Sequence, residues 1–272
     1  YKSHMRDWEW RRLMHLCDQA SRDFVTDSPI ESVAISDDGR RFVTGGWGGQ
    51  ATIWNQQGEK TATLKHGSVY VFAVAISPDG EIVATGSGDK NGYVKLWNAG
   101  SGELIAVLQG HERDVVSVTF SRDGAKLATA SFDNTVRIWD VATGKSEQTL
   151  RGHNWWVWDA AFSPDGSRIA TVSQDGVAYV WDLESGARSP AFDGHRGPIY
   201  GVSFSPDGET VATAGHDKRV LVWHPADLKP YDYQAVVSGK KVFTPPFQEL
   251  LGHTAAVRCV EFSKDGKRLL SG

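Results

Sequence analysis

Histidine side chains recur along this chain and could in principle bind a metal ion or transfer protons. The recurring histidines are His66, His111, His153, His195 and His253. Most of them lie about 42 residues from the next, so each belongs to a different segment of the sequence. A catalytic or metal site needs unlike residues that converge at one place, whereas a residue repeated in every unit is typical of a stabilising role. We therefore expect no metal site and no cofactor.

A glycine-rich run and two cysteines are the other candidates for chemistry. Gly45-Gly46-Trp47-Gly48-Gly49 lacks the lysine and hydroxyl residue that end a phosphate-binding loop, so the sequence favours a turn there. Cys17 and Cys259 are far apart and lack metal-ligand spacing. The sequence also contains no Gly-x-Ser-x-Gly elbow and no kinase catalytic loop. These observations predict a protein that is not an enzyme.

Three markers repeat in register and define the units that position these residues. A Ser-x-Asp-Gly tetrapeptide ends at Gly39, Gly80, Gly124, Gly166, Gly208 and Gly266. Tryptophans follow the same period at Trp54, Trp97, Trp139, Trp181 and Trp223, and the histidines supply the third marker. A fixed period of about 42 residues indicates a repeat architecture.

Within each unit the apolar residues alternate with polar ones, which is typical of strands. Val116, Val118 and Phe120 alternate with Ser117 and Thr119 ahead of one Asp-Gly pair. That pair supplies the positive-φ positions of a tight hairpin turn. We designate the four strands of a unit a, b, c and d, with the tryptophan at the end of strand c.

The chain resembles the WD-repeat propellers, whose unit runs from Gly-His through Ser-Pro-Asp-Gly to Trp-Asp. The resemblance covers residues 24 to 272, and two units carry the literal pair as Trp139-Asp140 and Trp181-Asp182. It implies an all-β, WD-repeat β-propeller of four-stranded antiparallel blades, with five complete units and a truncated sixth. The expected units are residues 23–64, 65–108, 109–150, 151–192, 193–250 and 251–272.

The resemblance also implies a hydrogen-bond network of four side chains in each blade, most clearly in blades three to five. The expected networks are His111, Thr129, Asp133, Trp139; His153, Thr171, Asp175, Trp181; and His195, Thr213, Asp217, Trp223. A buried imidazole and carboxylate must be paired to offset their desolvation, so we expect a structural role. The first two blades depart from the pattern, since Gly48 replaces the aspartate in one and Asp89 is displaced in the other.

The two ends and one insertion do not follow the repeat. Residues 1–22 place apolar side chains on one helical face, which predicts a short amphipathic helix. Its run Trp8-Glu9-Trp10-Arg11-Arg12-Leu13, which ends at Leu16-Cys17, is similar to the segment before WD-repeat arrays in large bacterial serine/threonine protein kinases. About 16 extra residues, near 225–247, are expected to form a loop that either packs on its own blade or docks a partner. The sixth unit stops within strand b, so we expect a fragment of a longer protein whose open edges favour self-association.

Composition narrows the class of partner. A net charge of -4 gives no basic surface for nucleic acid. The sequence has no apolar run long enough to span a membrane and no signal peptide, so we expect no membrane contact and a cytoplasmic location.

Positions beside the repeated histidines and aspartates should share one face, and many of them are aromatic. The partner-binding residues expected on this top face are Trp47, Phe72, Asp114, Phe132, Trp156, Trp158, Tyr200, His216 and Arg258. Such rings often form the centre of interfaces, although they can equally pack between blades. We predict a non-catalytic protein- or peptide-binding scaffold, the C-terminal interaction or sensor region of a larger kinase-like protein. The alternatives are a propeller enzyme or small-ligand binder that uses the central channel, and a structural spacer.

Overall fold

The computed structural model describes residues 26, 28–67, 69–88, 91–228 and 247–272. The leader predicted over residues 1–22, with Cys17, lies outside this part of the chain, as do Asp89 and most of the insertion. The described strands fall into two compact units of three sheets each; the first unit ends at Gly152 and the second begins at His153. Each sheet corresponds to one sequence repeat and is called a blade. Each unit consists of antiparallel β-sheets, as the sequence predicts.

The first unit contains three four-stranded sheets in which each strand pairs with the next along the chain. Its strands are β1 (Ile30–Ile35), β2 (Arg41–Gly46), β3 (Gln50–Asn55), β4 (Lys60–Lys65), β5 (Val71–Ile76), β6 (Ile82–Ser87), β7 (Val94–Asn98), β8 (Leu104–Leu108), β9 (Val115–Phe120), β10 (Lys126–Ser131), β11 (Thr135–Asp140) and β12 (Ser146–Arg151). Apolar side chains from neighbouring sheets fill the space between them, including Leu96, Val115 and Leu127.

The second unit contains a three-stranded, a four-stranded and a two-stranded sheet. Its strands are β13 (Val157–Phe162), β14 (Arg168–Ser173), β15 (Ala178–Asp182), β16 (Ile199–Phe204), β17 (Val211–Gly215), β18 (Val220–Trp223), β19 (Phe247–Leu250), β20 (Val260–Phe262) and β21 (Leu269–Ser271). A short 3-10 helix, Pro225–Asp227, begins the insertion.

The fourth blade differs from the predicted four-stranded sheet, because its outer strand is not regular. Only two isolated bridges, Ala178 with Phe192 and Trp181 with Arg188, join the outer segment to β15. Pro190 lies between the two bridges and has no N–H to donate to a ladder, which explains why the strand is broken. Arg188 compensates in part by lying over the Tyr179 ring, 4.1 Å from its centroid.

The Ser-x-Asp-Gly tetrapeptides form the turns between the first two strands of the sheets. In all six of them the serine hydroxyl donates to the aspartate carboxylate over 2.5–2.6 Å. The glycine that follows has a φ near +70°, which residues with a side chain rarely adopt. Hydrogen bonds from Ser163 and Ser167 lower the pKa of Asp165 to about 2, so these turns carry ionised carboxylates near neutral pH.

The glycine-rich run of the first unit forms the turn between β2 and β3. Gly48 and Gly49 have φ values of +96° and +68°, which require glycine in practice. The Gly48 N–H donates to the Val69 carbonyl over 3.1 Å, so this turn is fixed to the segment before β5.

Candidate functional site

The third blade brings its four repeated side chains into one buried chain of hydrogen bonds. His111 precedes β9, Thr129 is on β10, Asp133 is in the turn after β10, and Trp139 is on β11. His111 Nε2 lies 2.7 Å from Thr129 Oγ1, and His111 Nδ1 lies 2.7 Å from Asp133. The Trp139 indole N–H donates to Thr129 Oγ1 over 2.9 Å.

The chemistry of the donors determines where the protons lie in this hydrogen-bond network. Indole nitrogen can only donate, so the Thr129 oxygen accepts from Trp139 and directs its own hydrogen to His111 Nε2. His111 then donates from Nδ1 to the ionised Asp133. Burial alone would raise the pKa of Asp133, but hydrogen bonds from His111, Thr135 and the Glu112 N–H hold it well below its usual range. Each of the four side chains in this network therefore has a hydrogen-bond partner.

The fourth blade repeats this geometry. His153 Nε2 lies 2.8 Å from Thr171 Oγ1, and the Trp181 N–H donates to the same oxygen over 2.9 Å. His153 Nδ1 lies 3.2 Å from Asp175.

The fifth blade departs from the predicted network at its tryptophan. His195 contacts Thr213 Oγ1 at 2.9 Å and Asp217 at 3.0 Å. Within the described part of the chain, however, the buried Trp223 Nε1 has no hydrogen-bond partner. The Trp223 ring instead stacks on Phe192, with 4.4 Å between centroids. Phe192 comes from the irregular outer segment of the fourth blade, at the position that Leu108 and Leu150 hold in the two preceding repeats.

The remaining three blades keep parts of the same hydrogen-bond network. The indole N–H groups of Trp54 and Trp97 donate to Thr44 and Thr85 over 2.9 and 2.8 Å. In the sixth blade His253 Nε2 lies 2.7 Å from Ser271 Oγ. The sequence prediction omitted Ser271, although it follows His253 at the same spacing at which Thr213 follows His195.

In the fifth blade, electrostatics favours a neutral His195 beside an ionised Asp217. Burial lowers the pKa of His195, and the nearby Asp217 only partly opposes this effect. Burial alone would raise the pKa of Asp217, but hydrogen bonds from the Arg196 N–H and from His195 lower it overall. The paired groups are almost inaccessible, which suits them to stabilise blades rather than to meet a substrate.

Five of the predicted top-face residues form a continuous row in the second unit. The rings of Trp156 and Trp158 meet edge to face with 6.2 Å between centroids, and Trp158 meets Tyr200 at 5.4 Å. The Tyr200 hydroxyl lies 3.3 Å from His216 Nδ1, and the Arg258 guanidinium lies 4.9 Å above the Tyr200 ring. We call these five residues the aromatic row.

The aromatic row is partly exposed and crosses from one sheet to the next, since Trp158 lies on β13 and Tyr200 on β16. Trp156, Trp158 and Tyr200 are half-buried, while His216 and Arg258 are exposed. The Trp158 N–H donates to Gln174 Oε1 over 2.8 Å, so this ring has a fixed orientation. Sequence reasoning did not identify Gln174, which lies next to Asp175 in the turn after β14.

The other four predicted top-face residues lie in the first unit and form smaller groups. Trp47 and Phe72 are joined through Tyr70, which the prediction omitted, with 5.4 Å between centroids at each step. The alternation of Tyr70 with Phe72 at the start of β5 could have revealed it. Phe132 and Asp114 are linked through their backbones, N to O, over 3.0 Å.

Comparison with known families identifies the repeat. A family model described as WD domain, G-beta repeat matches residues 21–55, 58–98, 102–140, 144–182, 187–224 and 244–272. The chain belongs to the WD-repeat family. Membership implies a protein-interaction scaffold, and it confirms the fold class predicted from the repeated motifs.

Similar WD-repeat proteins align with only part of this chain. Protein groucho of Drosophila melanogaster is 31% identical over 113 residues, which are 40% of this chain and 15% of the fly protein. An uncharacterized WD repeat-containing protein of Schizosaccharomyces pombe is 33% identical over 114 residues, or 39% of this chain and 25% of that protein. The Periodic tryptophan protein 2 homolog of the same yeast is 40% identical over 68 residues, or 25% of this chain and 8% of that protein. The aligned segments thus span a quarter or less of each relative.

The part of the chain that the structure describes holds neither a metal-binding cluster nor a membrane-spanning helix. In residues 26, 28–67, 69–88, 91–228 and 247–272, no cluster of three or more histidine, cysteine, aspartate or glutamate side chains has the geometry to hold a metal ion. The same ranges contain no helix of sufficient length and hydropathy to cross a bilayer.

Proposed function

We propose that this WD-repeat chain is a non-catalytic protein- or peptide-binding module and that its partner contacts the aromatic row of the second unit. The observation that carries the proposal is the unbroken contact from Trp156 through Trp158 and Tyr200 to His216 and Arg258. Rigid aromatic rings beside an arginine have the composition of binding hot spots. The fixed Trp158 ring needs little further ordering when a partner binds, which favours affinity.

The charges near the row indicate the chemistry of the partner. Arg258 is exposed, and no carboxylate among the described residues forms an ion pair with it. Arg196 and Lys218, which adjoin the His195 and Asp217 network in sequence, are exposed as well. An acidic peptide with an aromatic or aliphatic side chain would place its carboxylate beside Arg258 and its apolar group against the tryptophans.

The alternative functions have less support. A propeller enzyme needs unrepeated acids and bases that converge, whereas the buried histidines of this chain recur at equivalent positions. A structural spacer requires no surface of this composition. The larger kinase-like parent protein remains a proposal that depends on the sequence of residues 1–22 alone.

Selection from a random-peptide display library would test the binding function. We expect the chain to enrich peptides that combine acidic with aromatic or aliphatic residues. Trp156→Ala and Trp158→Ala should each weaken their binding by about 30-fold, equivalent to about 2 kcal/mol, with little change in thermal midpoint.

Leu251→Ala provides the control, because it also truncates an exposed apolar side chain but lies after the outer strand β19. It should leave peptide affinity unchanged. The proposal is wrong if no peptide is enriched, or if neither tryptophan variant binds the enriched peptides more weakly than the Leu251 variant does.

A further inference from the structure

The outer strand of the second blade exposes an unusual run of aliphatic side chains. Strand β8 reads Leu104-Ile105-Ala106-Val107-Leu108. Leu104, Ile105 and Val107 are 49%, 52% and 39% exposed, while Leu108 is buried in the core. An exposed apolar edge strand is a template for pairing with another chain.

The equivalent outer strands carry polar or charged residues that discourage such pairing. Strand β4 reads Lys60-Thr61-Ala62-Thr63-Leu64 over the same positions and continues with Lys65. Strand β12 has Glu147 and Arg151, and β19 has Glu249, which pairs with Arg219. Charges on an edge oppose association with a second strand. Strand β8 has no charged residue and is the exception among these four.

The backbone of β8 is available as well as its side chains. It is the last strand in the order β5-β6-β7-β8, and among the described strands it pairs only with β7. Its outer edge therefore presents N–H and C=O groups that an extended chain could bind.

We propose that β8 pairs antiparallel with β8 of a second copy of this chain. The sequence of the strand is self-complementary about Ala106, because a two-fold axis there places Ile105 opposite Val107 of the second copy. Both of these side chains are exposed, so each pair joins two apolar groups on one face of the joined sheet, and such cross-strand pairs stabilise it.

The residues that flank the strand are compatible with this register. Glu103 precedes β8 and Gln109 follows it, and the two-fold axis brings each opposite the other. No like charges are juxtaposed at the junction, which favours a second copy as the occupant of this edge.

Sedimentation equilibrium of the chain should therefore show a concentration-dependent dimer. The matched variant is Leu104→Lys/Ile105→Thr/Val107→Thr, which gives β8 the residues of β4 at equivalent positions. Because β4 folds as an outer strand with those residues, this variant should keep its thermal midpoint. We expect its dimer dissociation constant to rise by about tenfold or more.

Val69→Lys supplies the control, because it introduces a charge at an exposed apolar residue that lies outside the strands. It should leave the dimer unchanged. A mixture of Ile105→Cys and Val107→Cys chains in a Cys17→Ser background should form a disulfide between positions 105 and 107 faster than either variant alone forms one. The proposal is overturned if the chain is monomeric, if the triple variant dimerises as tightly as the wild type, or if the mixed disulfide is not favoured.

Discussion

The Nδ1 atom of His111 lies 2.7 Å from a carboxylate oxygen of Asp133, and the two side chains are only 0% and 7% exposed. Replacing Asp133 with alanine removes this acceptor and leaves His111 Nδ1 only the more distant Thr135 Oγ1, at 3.4 Å. We expect Asp133→Ala to lower the free energy of unfolding by about 1–3 kcal/mol, measured by denaturant titration.

Glu112→Ala is the control for that experiment, since Glu112 is an exposed acidic residue next to His111 in sequence. Its stability should lie within about 0.5 kcal/mol of the wild type. Equal stability of the two variants would contradict a structural role for the His111 and Asp133 pair.

The tryptophans of the third and fifth blades allow a matched comparison. Trp139 donates a hydrogen bond to Thr129, whereas Trp223 is buried against Phe192 and its N–H has no partner among the described residues. Phenylalanine at either position loses similar apolar volume, but only Trp139→Phe breaks a hydrogen bond. Trp139→Phe should therefore destabilise the chain by about 1 kcal/mol more than Trp223→Phe. Thermal and denaturant unfolding would measure the difference, and a larger loss for Trp223→Phe would contradict this account.

The repeat made most strands and much of the side-chain network predictable, because both depend on residues at fixed spacing within one unit. The resemblance to the WD-repeat propellers assigned Thr129 and Asp133 to the network, because they hold the positions of the family pattern relative to Trp139. The fold class followed from the same markers.

What the sequence could not predict depends on contacts between units or on a single local break. Phe192 stacks on Trp223 of the next blade; the repeat predicts an apolar residue at this position, as at Leu108 and Leu150, but not an aromatic ring. Pro190 interrupts an outer strand that the spacing otherwise predicts. Gln174, which orients Trp158, is an ordinary polar turn residue until the ring beside it is known.

The buried histidine of the fifth blade makes stability depend on pH. Burial lowers the pKa of His195 in the folded chain, so below about pH 6.5 the unfolded chain binds more protons than the folded chain does. The free energy of unfolding contributed by this group is fully present above that pH and is lost as the pH falls toward the lower folded pKa. Wild type should lose more stability between about pH 7.5 and 5.5 than His195→Gln does.

The exposed His224 provides the control for this pH dependence. His224→Gln should retain the wild-type slope of unfolding free energy against pH. Parallel slopes for wild type and His195→Gln would show that His195 does not titrate differently in the folded and unfolded chains.

The hydrogen bond from Trp158 to Gln174 links ring orientation to the proposed binding function. Gln174→Leu keeps the side-chain size but removes the acceptor, so the Trp158 ring must be ordered when a peptide binds. Ordering one side chain costs about 0.5–1.5 kcal/mol, so affinity for the selected peptides should fall by about two- to tenfold with little loss of stability. Gln174→Glu, which retains an acceptor oxygen, should bind more tightly than Gln174→Leu in titration calorimetry. If Gln174→Leu binds as tightly as the wild type, orientation of Trp158 does not contribute to recognition.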